Sequence, residues 1–167
     1  SLELTTYAEV VLAPDASDLA HPAFSNLFIQ TELDPERDAI LCHRRPRSPD
    51  EPGPCLFHMM VVHGDNRHNA SFETDRAKFL GRGRNPVDAM AIEAGGALSN
   101  TSGSVLDPIL AIRHTIILQP GQPVTIDIIY GIGETRQQSL ALLEKYRDYP
   151  IADRIFELAW SHSLVVL

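Results

Sequence analysis

The spacing of hydrophobic and polar positions changes character several times along the chain. Residues 2–12 (LELTTYAEVVL) partly alternate and are rich in Leu, Thr, Tyr and Val, which predicts a strand. Pro14 and Asp15 break that pattern. The following DASDLAHPAFSNL reads as a short helical or turn segment, with Asp15 or Ser17 as its cap and Pro22 limiting its length. FIQTEL (28–33) and AILCHRR (39–45) flank Asp34-Pro35-Glu36-Arg37-Asp38, whose proline presets a turn dihedral, so this pair predicts a hairpin. RPRSPDEPGP (45–54) carries four of the twelve prolines and little to bury, which makes it a surface loop.

CLFHMMVVHG (55–64) is almost continuously apolar, the pattern of a strand covered on both faces. Residues 64–67 supply a turn, and ASFET (70–74) reads as the returning strand. DRAKFL (75–80) has the look of one helical turn stopped by Gly81. Residues 81–104 then hold many Gly, Ser and Asn and few regular signals, a kind of stretch that is uncommon inside compact domains and often functional. PILAIRHTIILQ (108–119) and PVTIDIIYGIG (123–133), joined by Pro120-Gly121-Gln122, predict a second hairpin.

After Gly133 the period becomes helical. Leu140, Leu143 and Tyr146 share a face of 134–148, and Ile155, Leu158, Ala159 and His162 share a face of 152–167, where the spacing also turns Trp160 toward a core. Strands followed by terminal helices predict a mainly β fold, with residues 1–133 as a β-sandwich and 134–167 as a helical extension.

Composition narrows the functional classes. The length of 167 residues fits one domain, and 44% hydrophobic with 22% charged residues is the make-up of a folded protein. A formal charge of −8 argues against a general nucleic-acid binder, because phosphate backbones need a basic surface. No apolar run approaches the ~20 residues of a membrane helix. Cys42 and Cys55 could be bridged in principle, but without metal-like spacing they read as free, buried thiols, which points to a reducing compartment. The opening strand pattern and the closing apolar run SHSLVVL both read as cut from a longer chain.

Catalytic signatures are sparse. His21, His43, His58, His63, His68, His114 and His162 show no HExxH and no i, i+4 helix pair, so neither a metal nor a cofactor is expected; His58, on a buried strand, reads as a packed, hydrogen-bonded residue. There is no GxSxG elbow, and Gly81-Arg82-Gly83-Arg84 lacks the third glycine of a dinucleotide fingerprint and the Gly-Lys-Ser/Thr of a P-loop. Glu73, Asp75 and Asp107 are candidate acids, Glu73 and Asp75 sharing a face if both lie in one strand, yet loop carboxylates are most often solvated. The densest chemistry is FETDRAKFLGRGRNP (72–86). Arg82 and Arg84 alternate with glycines there, beside Asp75 and Arg76, and arginine forks bind phosphate or carboxylate bidentately. The competing reading is a charged loop in which Asp75 and Arg76 pair locally.

Six stretches, TTYAEVVLAP (5–14), HPAFSNLFIQTE (21–32), RRPRSPDEP (44–52), FETDRAKFLGRGRNP, GSVLDPILAIR (103–113) and ELAWSHS (157–163), together resemble one family. It is the supersandwich domain of glycoside hydrolase family 94-type modules, found in cyclic β-1,2-glucan synthetases and in cellobiose and chitobiose phosphorylases. The resemblance spans nearly the whole chain, and ETDRAKFLGRGR is its most specific motif.

The resemblance implies a β-supersandwich related to galactose mutarotase-like domains, here partial. Linker helices over 134–167 would lead to an (α/α)6 barrel that lies outside this sequence and holds the catalytic acid. No catalytic residue is then expected here. Asp75, Arg76, Arg82 and Arg84 become candidates for contact with the barrel, a partner subunit, β-glucan or phosphate, and self-association is expected. The resemblance also implies a parent protein anchored in the bacterial inner membrane with this domain on the cytoplasmic side. A noncatalytic carbohydrate-associated domain is the first functional reading. A free-standing sugar-binding module is the second, disfavoured by a Trp160 expected in the core. A mutarotase-type enzyme using His58, His114 and Glu73 is the third.

Overall fold

In a computed structural model, which describes residues 1–46, 48, 53–64 and 70–165, two antiparallel sheets pack face to face with helical layers on both outer sides. In chain order the elements are β1 (Leu2–Thr5), β2 (Ala8–Glu9), α1 (Asp15–Ala20), α2 (Pro22–Asn26), β3 (Ile29–Asp34), β4 (Ala39–Arg44), β5 (Cys55–Val62) and β6 (Ser71–Asp75). There follow α3 (Arg76–Leu80), a 3-10 turn at Pro86–Asp88, α4 (Met90–Ala94), β7 (Pro108–Ile116), β8 (Ile126–Gly133), α5 (Arg136–Tyr146) and α6 (Tyr149–Val165).

The first sheet is centred on β7, with β1 and β2 on one side and β6 on the other. β1 and β2 keep one register along β7: Thr5 faces Arg113, Ala8 faces Leu110, and between them the Thr6 amide donates to the Ile112 carbonyl at 2.9 Å. Of the single strand expected over residues 2–12, residues 2–9 are present, interrupted at Thr6–Tyr7, and residues 10–12 are not in the sheet. The second sheet has the order β3-β4-β5-β8. The β3–β4 hairpin stands as expected, its turn closing on Asp38 at φ 51.

The second expected hairpin does not form. β7 and β8 enter different sheets, β8 pairing β5 from Cys55↔Gly133 to Val62↔Ile126. Nor does β6 return along β5; it pairs β7 in the other sheet. Local turn chemistry suggested both pairings, but β6 and β7 lie together in the first sheet, where their faces are covered, and β8 lies beside β5 in the second.

Burial follows from this layering. Ile40, Cys42 and Met60 meet Leu110, Ile112 and Phe72 between the sheets. On the outer face of the second sheet Leu41, Phe57 and Met59 pack against Leu143 of α5. On the outer face of the first, Ile109 and Ala111 pack against Phe79, Leu80, Ala89 and Leu98. Strands β4 and β5 are thus covered on both faces, as their unbroken apolar runs require. Cys42 and Cys55 are free and buried; Cys42 belongs to the cluster between the sheets and Cys55 to the one under α5, and burial pushes both thiols up.

Three smaller expectations change. α1 starts at Pro14 with no side-chain cap, so neither Asp15 nor Ser17 serves as one. Residues 81–104 are not structureless, since they hold the 3-10 turn and α4. α6 presents its apolar side outward: Trp160 is 69% exposed, and Phe156, Leu158 and Leu164 are exposed too. Helical period marks an apolar stripe, but nothing among the described residues covers this one. The surface loop expected at 45–54 and the turn at 64–67 lie largely outside the described residues.

Candidate functional site

The three residues of the mutarotase-type reading do not share one face: by strand alternation His58 and His114 belong to the rows between the sheets, and Glu73 does not. His58 on β5 is fully buried between the sheets, its Nε2 2.7 Å from Thr6 Oγ1 and its ring stacked on Tyr130 with centroids 4.1 Å apart. Burial holds its imidazole down at about 4, against a hydrogen bond to the Ile129 carbonyl that acts the other way. A neutral, enclosed imidazole of this kind is a packing element, as expected from its strand position. His114 on β7 is also fully buried, 3.9 Å from Asp38 Oδ2. Glu73 points to the opposite, outer face of the first sheet.

Glu73 is itself a staple. One carboxylate oxygen accepts from the Thr74 and Asp75 amides at 3.0 and 2.9 Å, and the other accepts from the Ser99 hydroxyl. A register shift between Glu73 and Asp75 separates the two acids that were expected to share a face. Asp75 caps α3 instead, accepting from the Ala77 amide at 2.9 Å. Asp107 accepts from Asn26 at 3.1 Å and from Arg76 at 3.2 Å. All three candidate acids are engaged in holding elements together. Among the described residues no three His, Cys, Asp or Glu side chains converge in a group able to hold a metal.

The arginine-rich span divides in two. Arg76 turns back to the first sheet, reaching Asp107, Glu9 at 3.4 Å and the Tyr7 hydroxyl at 3.3 Å, and it does not pair with Asp75. Gly81, at φ 84, ends α3, and its α-carbon passes so near Met90 that a Cβ there would sit 3.0 Å from that side chain. Beyond it Arg84 is ion-paired with Glu93 and donates to the Asp88 carbonyl at 3.3 Å. Arg82 is exposed and, among the described residues, is the one of these four with no ion pair or hydrogen bond. The expected site residues therefore do not converge on one point.

A family model for the glycosyl hydrolase 94 supersandwich domain matches residues 1–149, which take in both sheets and α5. The chain belongs to that family. The cyclic beta-(1,2)-glucan synthase NdvB of Rhizobium meliloti (strain 1021) is 34% identical over 165 residues, which cover 98% of this chain and 6% of that relative. The resemblance carried by the six motifs thus holds, and with it the mainly β supersandwich fold.

Sequence reasoning missed the residue that fixes the outer layer of this supersandwich. Arg113 of β7 is buried beneath residues 89–98, donating to Thr5 Oγ1 at 2.7 Å, the Gly96 carbonyl at 2.7 Å and the Ala91 carbonyl at 2.8 Å, with Glu3 at 3.7 Å. A lone arginine in PILAIRHTIILQ was the available signal, since an arginine inside a strand read as fully apolar needs such partners. Asn100, at φ 56, was missed as well; its backbone and side chain both bond Phe72, at 2.8 Å each. No helix among the described residues is long and apolar enough to cross a membrane.

Proposed function

We propose that the chain is a noncatalytic domain of a carbohydrate-active enzyme, a β-glucan synthase like its relative, and that it acts by assembly and substrate positioning. One observation carries this reading: the three candidate acids and His58 are used internally, Glu73 and Asp107 as staples, Asp75 as a cap and His58 as a core residue, and His114 is fully enclosed. General acid–base chemistry needs such groups free at a cavity.

Two exposed features supply contact surfaces for the rest of a longer polypeptide, an (α/α)6 barrel by the family resemblance. One is the turn carrying Arg82 and Arg84. The other is α6, whose exposed Ile155, Phe156, Trp160 and Leu164 mix aliphatic and aromatic side chains. Such a mixture suits protein burial better than sugar stacking, which uses aromatic faces ringed by hydrogen-bonding groups.

The exposure of Trp160 nevertheless gives the sugar-binding reading a specific footing that a buried ring would have denied it. Because Trp160 is the one tryptophan in the sequence, its fluorescence is a clean probe. Titration with linear and cyclic β-1,2-glucans is expected to leave its emission unchanged. A saturable shift, lost in Trp160→Ala, would overturn the scaffold reading in favour of a sugar-binding module.

A further inference from the structure

A cavity of about 300 Å³ opens on the outer face of the first sheet, between β6, α3 and the segment 90–99. All its walls come from residues 73–99, well inside the span matched by the family model, so it owes nothing to the ends of the chain. Met90, Ala91, Ala94 and Leu98 give it an apolar wall, and Glu73, Lys78 and Ser99 supply the polar groups. That wall is held from outside the cavity: Arg113 donates to the Ala91 and Gly96 carbonyls, and the Gly96 amide donates to Glu3 at 2.9 Å. A pocket fixed in this way loses little conformational freedom when it is filled.

The polar groups form one directed chain of hydrogen bonds. The Glu73 carboxylate, 2% exposed, only accepts, and the Ser99 hydroxyl donates to it. Ser99 Oγ therefore accepts from the Thr101 hydroxyl, 3.0 Å away, and Thr101 Oγ1 accepts from Lys78 Nζ at 2.9 Å. The charges at the two ends fix the direction of every link. What stays unused at the cavity follows from that direction: two N–H donors on Lys78, one lone pair on Ser99, and one on Glu73 Oε2 beside the bond from Ser99. Glu73 also accepts from the Thr74 and Asp75 amides, so it is a fixed acceptor here and not a carrier of protons.

We propose that this cavity binds one pyranose ring through two adjacent hydroxyl groups, Lys78 donating to their oxygens and Ser99 and Glu73 accepting their protons. Each hydroxyl of such a pair both donates and accepts, which matches the mixed set of groups on offer. An anion such as phosphate would satisfy Lys78 but set its other oxygens against the lone pairs of Ser99 and Glu73. The apolar wall suits the C–H face of a ring, and the volume, at the lower end for ligand pockets, takes a single ring. Thr101 is a positioning residue, orienting Ser99 and Lys78 together. The proposal rests on the substrate-positioning part of the function proposed above and gives it a place.

Amide NMR spectra of the 167-residue chain, titrated with methyl β-glucoside at millimolar concentrations, test this. Saturable shifts are expected at Lys78, Ala94, Gly95 and Ser99. Lys78→Met, on an exposed side of α3, is expected to weaken binding about tenfold with the fold intact. Thr101→Val should weaken it similarly, whereas Thr101→Ser, which keeps the hydroxyl, should bind as the wild type does. No saturable shift at these amides overturns the proposal, as does binding unchanged in Lys78→Met or in Thr101→Val. Shifts with inorganic phosphate and none with the glucoside overturn it in favour of an anion site. Trp160 lies outside the cavity, so the two readings fail separately. Absent amide shifts with unchanged Trp160 emission remove the site alone, and a Trp160 shift lost in Trp160→Ala removes the scaffold reading.

Discussion

β7 and β8 are nearly equal in length and similarly apolar, yet one is the buried axis of its sheet and the other an open rim. β7 is flanked by strands on both sides and covered above and below, so of Pro108–Ile116 all but Thr115 are buried. β8 has one neighbour, and its inner-facing row is half exposed. Apolar content thus reports that a strand expects cover. It does not report where the cover comes from. For β7 it comes from within the chain, including the unusual device of an arginine whose charge is spent on loop carbonyls.

Substitutions along the two strands would break or sharpen this contrast. The largest effect is expected for Ile112→Ala on β7, about 4 kcal/mol, since a fully enclosed side chain leaves a cavity; chemical denaturation reads it directly. The matching Ile132→Ala on β8 should cost an isolated copy no more than about 0.5 kcal/mol, and equal losses at the two positions would dissolve the distinction. Arg113→Ala is expected to cost about 3 kcal/mol by stranding the Gly96 and Ala91 carbonyls, and proteolysis should then open residues 89–98 first.

Next comes a pH effect on the contact between β5 and β8. His58 stays neutral in the folded state down to about pH 4, whereas the unfolded chain protonates it near 6.5. Its contribution is therefore complete above pH 6.5 and is lost progressively as the pH falls toward 4, by on the order of 3 kcal/mol in total. Stability measured across that window should fall with acid, and His58→Gln should flatten the slope.

A smaller effect is expected at Gly131→Ala. A Cβ there would lie 2.3 Å from the Phe57 ring, so the change should cost about 2 kcal/mol by forcing a buried ring aside. A neutral result would mean that β8 shifts freely on β5, and that the rim is softer than its ladder implies.

Much of the supersandwich could be read directly from local pattern. The β3–β4 hairpin, the doubly covered β5, the helical turn after Asp75 ended by Gly81, and both terminal helices rest on signals within a few residues of each element: a proline in a turn, a cap, a glycine at positive φ, a period. The family itself was legible because its motifs are long and specific. The arginine-rich stretch was singled out as dense in chemistry, but density did not foretell that Arg76 and Arg84 would each be consumed by separate acids, Asp107 and Glu9 for one and Glu93 for the other. Ion pairing depends on which segments meet, and for Arg76 the partners Glu9 and Asp107 are far away in sequence.

The sequence by itself determined the class of fold, the position of nearly every element, and membership of the supersandwich family, because these depend on periodicity and on contiguous motifs. Tertiary structure alone decided which strands pair, that β7 and β8 part company despite the turn signal between them, that Arg113 is buried, and that Trp160 is not. Pairing is chosen by the whole set of faces each strand can cover, an energy summed over residues scattered along the chain. Burial is likewise a property of the assembled layers rather than of any residue's own chemistry.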